Sequence, residues 1–203
     1  MKNLKKIKGD ASFRQFYRKK SKDLSSIIVF AKKDKLKNLI IYDSINRLLN
    51  KNKILAPSLY NENYKKNYIE IQDFGDETIF KILKQKKNNK YNIFKKIIKV
   101  LSLIQLIKNT KTKNFRKKEY KVPKYEMEIL VREANLFCDW YARKELNKKD
   151  IKIFTTKFKK IVKKLTLELK LKNDVFVHRD FHVSNLMLVN NRIGLIDSQD
   201  ALI

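Results

Sequence analysis

The sequence predicts an α+β protein in two lobes: a small mixed lobe over residues 1–72 and a mainly helical one over residues 73–203. Three observations carry that reading. Short β-favouring runs gather near the start, long stripes of helical period follow, and the last thirty residues return to short apolar runs divided by polar segments.

In the first lobe, residues 13–18 and 27–30 read as strands, the former opened by Gly9-Asp10-Ala11-Ser12. Over residues 36–49, Leu36, Ile40, Ile45, Leu48 and Leu49 can share one helical face. Ile54-Leu55-Ala56-Pro57 closes that unit, and residues 68–71 give another strand. The polar turn at 72–77 marks the boundary between lobes, before a helix-like run at 79–86. Beyond it, Phe94, Ile97, Ile98, Leu101 and Ile104 mark a helix over 91–107, and the basic stretch 108–123 shows no pattern and reads as a connection. Helical stripes then recur over 125–146 (Leu130, Ala134, Phe137, Tyr141) and 151–171 (Phe154, Phe158, Ile161, Leu165). These stripes, with Trp140, are expected to form core. Residues 175–177, 186–189 and 193–196 are read as three closing strands, and no internal repeat is found.

Composition excludes several classes. With 43% hydrophobic and 11% aromatic residues the chain has the material for a core, so disorder is not expected. No apolar run is long enough to span a membrane, and no apolar stretch follows the basic N-terminus to make a secretory signal. The lone Cys138 can form no internal disulfide, which suits a reducing cytoplasm. The formal net charge is +28, yet 41 of the 49 basic residues are lysines, scattered through nearly every segment among Asn, Ile and Tyr. Dispersed, arginine-poor charge points to a biased genome and away from specific nucleic-acid recognition.

The chemistry concentrates near the end. Residues 174–199 read DVFVHRDFHVSNLMLVNNRIGLIDSQ and contain both histidines of the chain, His178 and His182. Asp180, Asn185 and Asp197 fall at the ends of the expected strands. A hairpin turning at Asn190-Asn191 would bring Asn185 and Asp197 to the same end. Phosphoryl transfer needs that combination: a carboxylate to orient a hydroxyl and take its proton, which Asp180 offers, and hard oxygen ligands for Mg²⁺, which Asn185 and Asp197 offer. His178 and His182 are expected to support the loop. Zinc shared by His178 and His182 with Asp180 is an alternative, but it needs a helix and a further ligand. Asp180, Asn185 and Asp197 also have a plainer reading as turn-capping or strand-end residues, and Asp73 and Asp76 as turn formers.

His178-Arg179-Asp180-Phe181-His182-Val183-Ser184-Asn185 resembles the catalytic loop H-x-D-x-x-x-x-N shared by protein kinases and aminoglycoside/choline kinases, and Ile196-Asp197 resembles their metal-binding segment. No Phe-Gly pair follows Asp197, which favours the small-molecule branch. A more detailed resemblance is to bacterial anomeric sugar kinases, the N-acetylmuramate/N-acetylglucosamine 1-kinases. It is carried by Gly9-Asp10-Ala11-Ser12-Phe13-Arg14-Gln15-Phe16-Tyr17-Arg18, by Ile71-Gln72-Asp73-Phe74-Gly75-Asp76, by Glu133, Phe137, Trp140 and Tyr141 on one helix, by His178 through Met187, and by Asp197-Ser198-Gln199-Asp200-Ala201.

The resemblance implies a protein-kinase-like fold, ATP and Mg²⁺ as cofactors, and a sugar hydroxyl as acceptor. It gives Asp10, Ser12 and Arg14 to nucleotide binding, with backbone amides around 10–13 cradling phosphate, and Asp200 to support. Lys32 and Lys33 end the 27–30 run, and Lys32 is the candidate phosphate-gripping lysine, with the choice among so many lysines left open. Such kinases continue past the position of Ile203 with a helical portion that helps build the acceptor pocket. A shortened second lobe, and slow or absent turnover by these 203 residues, are therefore expected. Three other readings stay open: an aminoglycoside or choline-type acceptor, a non-catalytic nucleotide-binding remnant, and a lysine-rich nucleic-acid binder.

Overall fold

A computed structural model of the chain describes residues 4–7, 14–21, 24–85, 89–169 and 174–203. Two compact units divide it, residues 1–122 with 175–202, and residues 123–174 with Ile203.

The first unit begins with a five-stranded antiparallel sheet of β1 (Leu4–Ile7), β2 (Arg14–Lys20), β3 (Ser25–Ala31), β4 (Leu59–Asn63) and β5 (Tyr68–Gln72), in the order β1-β2-β3-β5-β4. Helix α1 (Lys37–Lys51) follows β3. Leu39 and Tyr42 of α1 pack with Ile27, Val29 and Ala31 of β3 and with Ile69 and Ile71 of β5 to form the core. The two edge strands, β1 and β4, were not expected. β4 reads LYNEN, without apolar alternation, and only Leu59 of it packs against the core; charged or polar sequence is how edges avoid adding a stray strand.

The register sets Arg14 opposite Ala31, Phe16 opposite Val29 and Arg18 opposite Ile27. Side chains alternate along a strand, so Arg14, Phe16 and Arg18 share one face of β2, and Gln15 and Tyr17 share the other.

Helix α2 (Ile79–Lys84) starts at Thr78, whose hydroxyl accepts from the Lys81 amide, and α3 (Lys90–Gln105) starts at Asn89, which accepts from the Asn92 amide. The stretch 108–123, expected to be a patternless connection, instead holds a small hairpin of β6 (Lys111–Lys113) and β7 (Glu119–Lys121). Its determinants are polar. The Asn114 side-chain oxygen accepts from the Arg116 and Lys118 amides, Lys117 takes a left-handed φ of 59°, and the Phe115 amide donates to Asp43 on α1 at 2.7 Å. None of these leaves a trace in apolar periodicity.

The last part of this unit is the hairpin of β8 (Leu186–Val189) and β9 (Arg192–Leu195). Asn190 and Asn191 both have positive φ, 47° and 63°, as a two-residue hairpin turn of matching twist requires. Residues 175–177, expected as a strand, contribute only an isolated bridge between Val177 and Leu202. The hairpin is held by backbone bonds from Leu188 to Glu77 and from Leu195 to Leu55. At Gly194 a side chain would not fit: a Cβ there would lie 2.7 Å from the Phe74 ring.

The second unit is helical: α4 (Met127–Leu136), a π-helical turn Phe137–Ala142, the single turn α5 (Arg143–Glu145), and α6 (Lys148–Glu168), capped by Asn147. Here the expected core is not core. Among its described residues only Cys138, Ala142 and Thr166 are buried, while Phe137, Tyr141, Ile161 and Leu165 are exposed and Trp140 is 69% exposed. The aromatic rings stack on one another, Phe137 on Tyr141 and Phe158 at 5.3 and 5.6 Å between centroids. The stripe marks an apolar face correctly, but periodicity cannot say whether anything covers it.

Candidate functional site

The β8–β9 hairpin brings Asn185 and Asp197 to one end, where the Ile196 amide donates to the Asn185 carbonyl at 3.0 Å. The loop before it folds on its own backbone, with His182 N–H donating to Asp180 O and Asn185 N–H to His182 O. The Asn185 amide nitrogen donates to the Asp180 carbonyl at 3.1 Å and to its carboxylate at 3.2 Å, and lies 3.1 Å from His182 Nε2. These contacts occupy the amide nitrogen and not the amide oxygen. Asp180, His182, Asn185 and Asp197 line one cavity of about 540 Å³, together with Phe16, Arg18, Tyr42 and the 73–76 segment.

Asp197 takes a left-handed backbone, φ 61°, which aspartate tolerates better than most residues. One of its carboxylate oxygens accepts from the Arg14 guanidinium, whose other terminal nitrogen donates to Gln199 Oε1 at 2.6 Å. Gln199 in turn donates to the Asp200 carboxylate at 2.8 Å, and Arg179 donates to the Asp200 carbonyl. The neighbouring Ser198 is fully buried and donates to Asn46 Oδ1 on α1 at 2.6 Å, while Asn46 donates to the Pro57 carbonyl. Tyr42, one helical turn before Asn46, is also buried, and burial pushes its phenol up to about 12.

His178 is 2% exposed and meets Phe181 edge-on at 6.2 Å. Neither ring nitrogen has a partner in ordinary hydrogen-bond geometry, although the Ile196 backbone acts on the ring. Burial lowers its pKa, against the opposing pull of Asp180 and Asp197, so the ring is neutral. The Phe181 ring it meets belongs to the same loop. The described residues hold no cluster of three His, Cys, Asp or Glu groups fit to share a metal, residues 178–185 are not helical, and the zinc alternative therefore lacks its geometry.

A second ionic cluster lies at the other end of the same face of β2. Arg18 donates to Asp73 at 2.6 and 3.0 Å, to both carboxylate oxygens of Asp76, and to the Gly75 carbonyl. Ser25 and the Gly75 amide also donate to Asp73. Burial raises the Asp73 carboxyl, but these donors together outweigh it and hold it below the usual range. Arg18 hydrogen bonding likewise holds Asp76 low.

The sequence-predicted site residues therefore separate. Asp180, Asn185, Asp197 and His182 face one cavity, with Arg14 bonded to Asp197, while His178 and Asp200 sit behind or beside them. Lys32 is exposed and lines a different cavity, on the Gln15–Tyr17 side of the sheet. Asp10 and Ser12 lie outside the described residues. Sequence reading gives no role to Arg18, Tyr42, Asn46, Ser198 and Gln199, although Arg18, Ser198 and Gln199 stand in the segments that carry the resemblance. The i,i+4 spacing of Arg14 and Arg18 on an alternating strand was the available signal for the first. A carboxylate and an amide oxygen on one cavity wall form a hard donor set that fits Mg²⁺, which takes one or two protein oxygens and completes its shell with phosphate and water.

A model of the phosphotransferase enzyme family (APH) matches residues 3–203. The N-acetylmuramate/N-acetylglucosamine kinase of Neisseria meningitidis serogroup B is 28% identical over 194 residues, covering 95% of this chain and 55% of that protein. Its namesake in Pseudomonas aeruginosa is 26% identical over 193 residues, covering 95% and 54%. The chain thus spans about half the length of the curated relatives it matches. Among solved structures, the streptomycin–ATP–APH(2")-IIa ternary complex matches with a TM-score of 0.68 at 12% identity, over 100% of this chain and 67% of that one. Aminoglycoside phosphotransferase APH(4)-Ia matches with a TM-score of 0.62 at 11% identity, over 98% and 67%. At these identities the likeness is one of fold, a mixed β/α N-terminal lobe and a helical C-terminal lobe.

Proposed function

Because this chain belongs to the phosphotransferase enzyme family, we propose that it moves the γ-phosphate of ATP to a hydroxyl of a cell-wall amino sugar, the anomeric hydroxyl of N-acetylmuramate or N-acetylglucosamine. The observation that carries this reading is the convergence of Asp180, Asn185 and Asp197 on one cavity. Asp180 orients the acceptor hydroxyl and takes its proton. Asn185 positions Asp180 through its amide nitrogen and offers its oxygen, with the Asp197 carboxylate, to Mg²⁺. When bound, the metal neutralises charge on the phosphates. The nucleotide lobe runs to about Gln72 and the catalytic lobe from Asp73, and the proposed setting is the cytoplasm, as part of peptidoglycan recycling.

The acceptor class draws support from charge. Three of the four carboxylates lining the cavity are already matched, Asp73 and Asp76 by Arg18 and Asp197 by Arg14, and the fourth, Asp180, is the proposed base. A cationic aminoglycoside or choline would find little free negative charge, whereas a neutral sugar or one bearing a carboxylate meets no such mismatch.

Transfer of labelled phosphate from ATP to N-acetylmuramate, N-acetylglucosamine, an aminoglycoside and choline tests the proposal. In a form of the protein extended to the length of its relatives we expect transfer to the amino sugars alone, reduced by a factor on the order of 10² or more in Asp180→Asn with Mg-ATP binding nearly intact. By the 203 residues alone we expect slow or absent turnover. Transfer to the aminoglycoside or choline but neither sugar overturns the acceptor assignment. Near-normal turnover in Asp180→Asn overturns the role of the loop.

A further inference from the structure

We propose that Arg14 is the positioning residue for the metal-binding carboxylate, a cation supplied from β2 where a lysine on β3 would be sought; the inference rests on the phosphotransferase reading above. Protein kinases hold the nucleotide phosphates with a strand lysine paired to a carboxylate on the following helix. Among the described residues of β3 and α1, neither half of that pair is found in this arrangement. The residue of β3 opposite Arg14 is the buried Ala31, and Lys32, one position on, is exposed beside the other cavity. The acidic residue of α1, Asp43, is bound to Arg47 and to the Phe115 amide.

Arg14 is built into the site instead. It is 5% exposed, with its guanidinium 5.4 and 5.6 Å from the Phe16 and Tyr42 ring centroids. Two of its nitrogens engage two different acceptors, Asp197 Oδ1 and Gln199 Oε1. A planar fork gripping two groups fixes the direction of the carboxylate, which the point charge of a lysine does less well. The hold on Oδ1 leaves Oδ2 of Asp197, a residue on the cavity wall, for the metal. Partners that orient a metal ligand commonly change metal affinity by about 10- to 100-fold when removed.

The test is a Mg²⁺ titration of the 203-residue chain at fixed ATP, read as the rise in melting temperature, for wild type, Arg14→Gln, Arg14→Lys and Lys32→Gln. Arg14→Gln is expected to move the Mg²⁺ midpoint upward by roughly 10- to 100-fold. Arg14→Lys should recover part of that loss, and Lys32→Gln should overlay the wild type. A merely structural role lowers the melting temperature and leaves the midpoint in place, which overturns the inference, as does a Lys32→Gln shift equal to that of Arg14→Gln. If Arg14→Gln does not fold, Arg14→Lys decides, since a wild-type midpoint in that variant sinks the assignment. A wild type indifferent to Mg²⁺ overturns the phosphotransferase reading itself, and this inference falls with it.

Discussion

The two compact units handle their apolar residues in opposite ways. In the first, Leu39, Ile45, Leu48, Leu49, Ile69 and Leu195 are fully buried, and the polar groups at the site are tied into α1 and the β8–β9 hairpin by Ser198, Asn46 and Arg14. In the second, an equally regular stripe leaves Trp140, Ile161 and Leu165 exposed. Stripes of the same period thus have different energetic meaning. One carries stability within its own unit, and the other offers apolar area that its own residues do not cover. The chemistry gathers in the unit that closes its own core, where rigid neighbours can hold side chains in place.

The sharpest way to break that contrast is a pair of truncations measured by denaturant unfolding. Leu48→Ala, in a fully buried position, should cost about 2–5 kcal/mol. Ile161→Ala, on the exposed face, should stay within about 0.5 kcal/mol. Equal losses would show that the face of α6 is covered after all.

A smaller effect sharpens the contrast through pH. His178 is buried in the first unit with its pKa lowered from 6.5. The unfolded chain therefore binds a proton near that value while the folded chain resists it. The stability His178 permits is complete above about pH 6.5 and falls as pH drops below it, at up to about 1.4 kcal/mol per pH unit. Wild-type melting temperature should decline between pH 7 and 5, and His178→Gln should lose part of that slope. The Arg18 cluster works in a separate window. The Asp73 and Asp76 carboxyls are held low, so their contribution is present above the ordinary carboxylate value and is lost only as pH falls through the lowered one. Identical slopes for wild type and His178→Gln between pH 7 and 5 would remove His178 from the account.

Much of the site was legible because its determinants are local. The loop from His178 to Asn185 folds on its own backbone, and the Asn190-Asn191 turn fixes the register that joins Asn185 to Asp197. β2, β3, β5 and α1 were legible from alternation and helical spacing. The edge strands β1 and β4 and the hairpin of β6 and β7 were not, since they rest on backbone pairing and on Asn114 and Asp43 hydrogen bonds. Arg14 reaches Gln199 across 185 positions, a contact that no local pattern announces. Lys32 ends an apolar run, yet it lies one residue past Ala31, the partner of Arg14, and lines the cavity on the Gln15–Tyr17 side. The exposure of Trp140 depends on what lies over a face, and spacing along a helix records only which residues share it.

The claim that this cavity is a metal-dependent phosphoryl-transfer site is tested most directly by the thermal stabilisation ATP gives with Mg²⁺ and with a chelator, in wild type and in Asp197→Ala. At a hundredfold excess over Kd, binding to the native state alone should add about 2.7 kcal/mol. The account predicts that wild type gains this with Mg²⁺ and far less with the chelator, and that Asp197→Ala folds but loses the Mg²⁺-dependent part. Equal stabilisation of the wild type with Mg²⁺ and with the chelator, or an undiminished Mg²⁺ effect in Asp197→Ala, would contradict it.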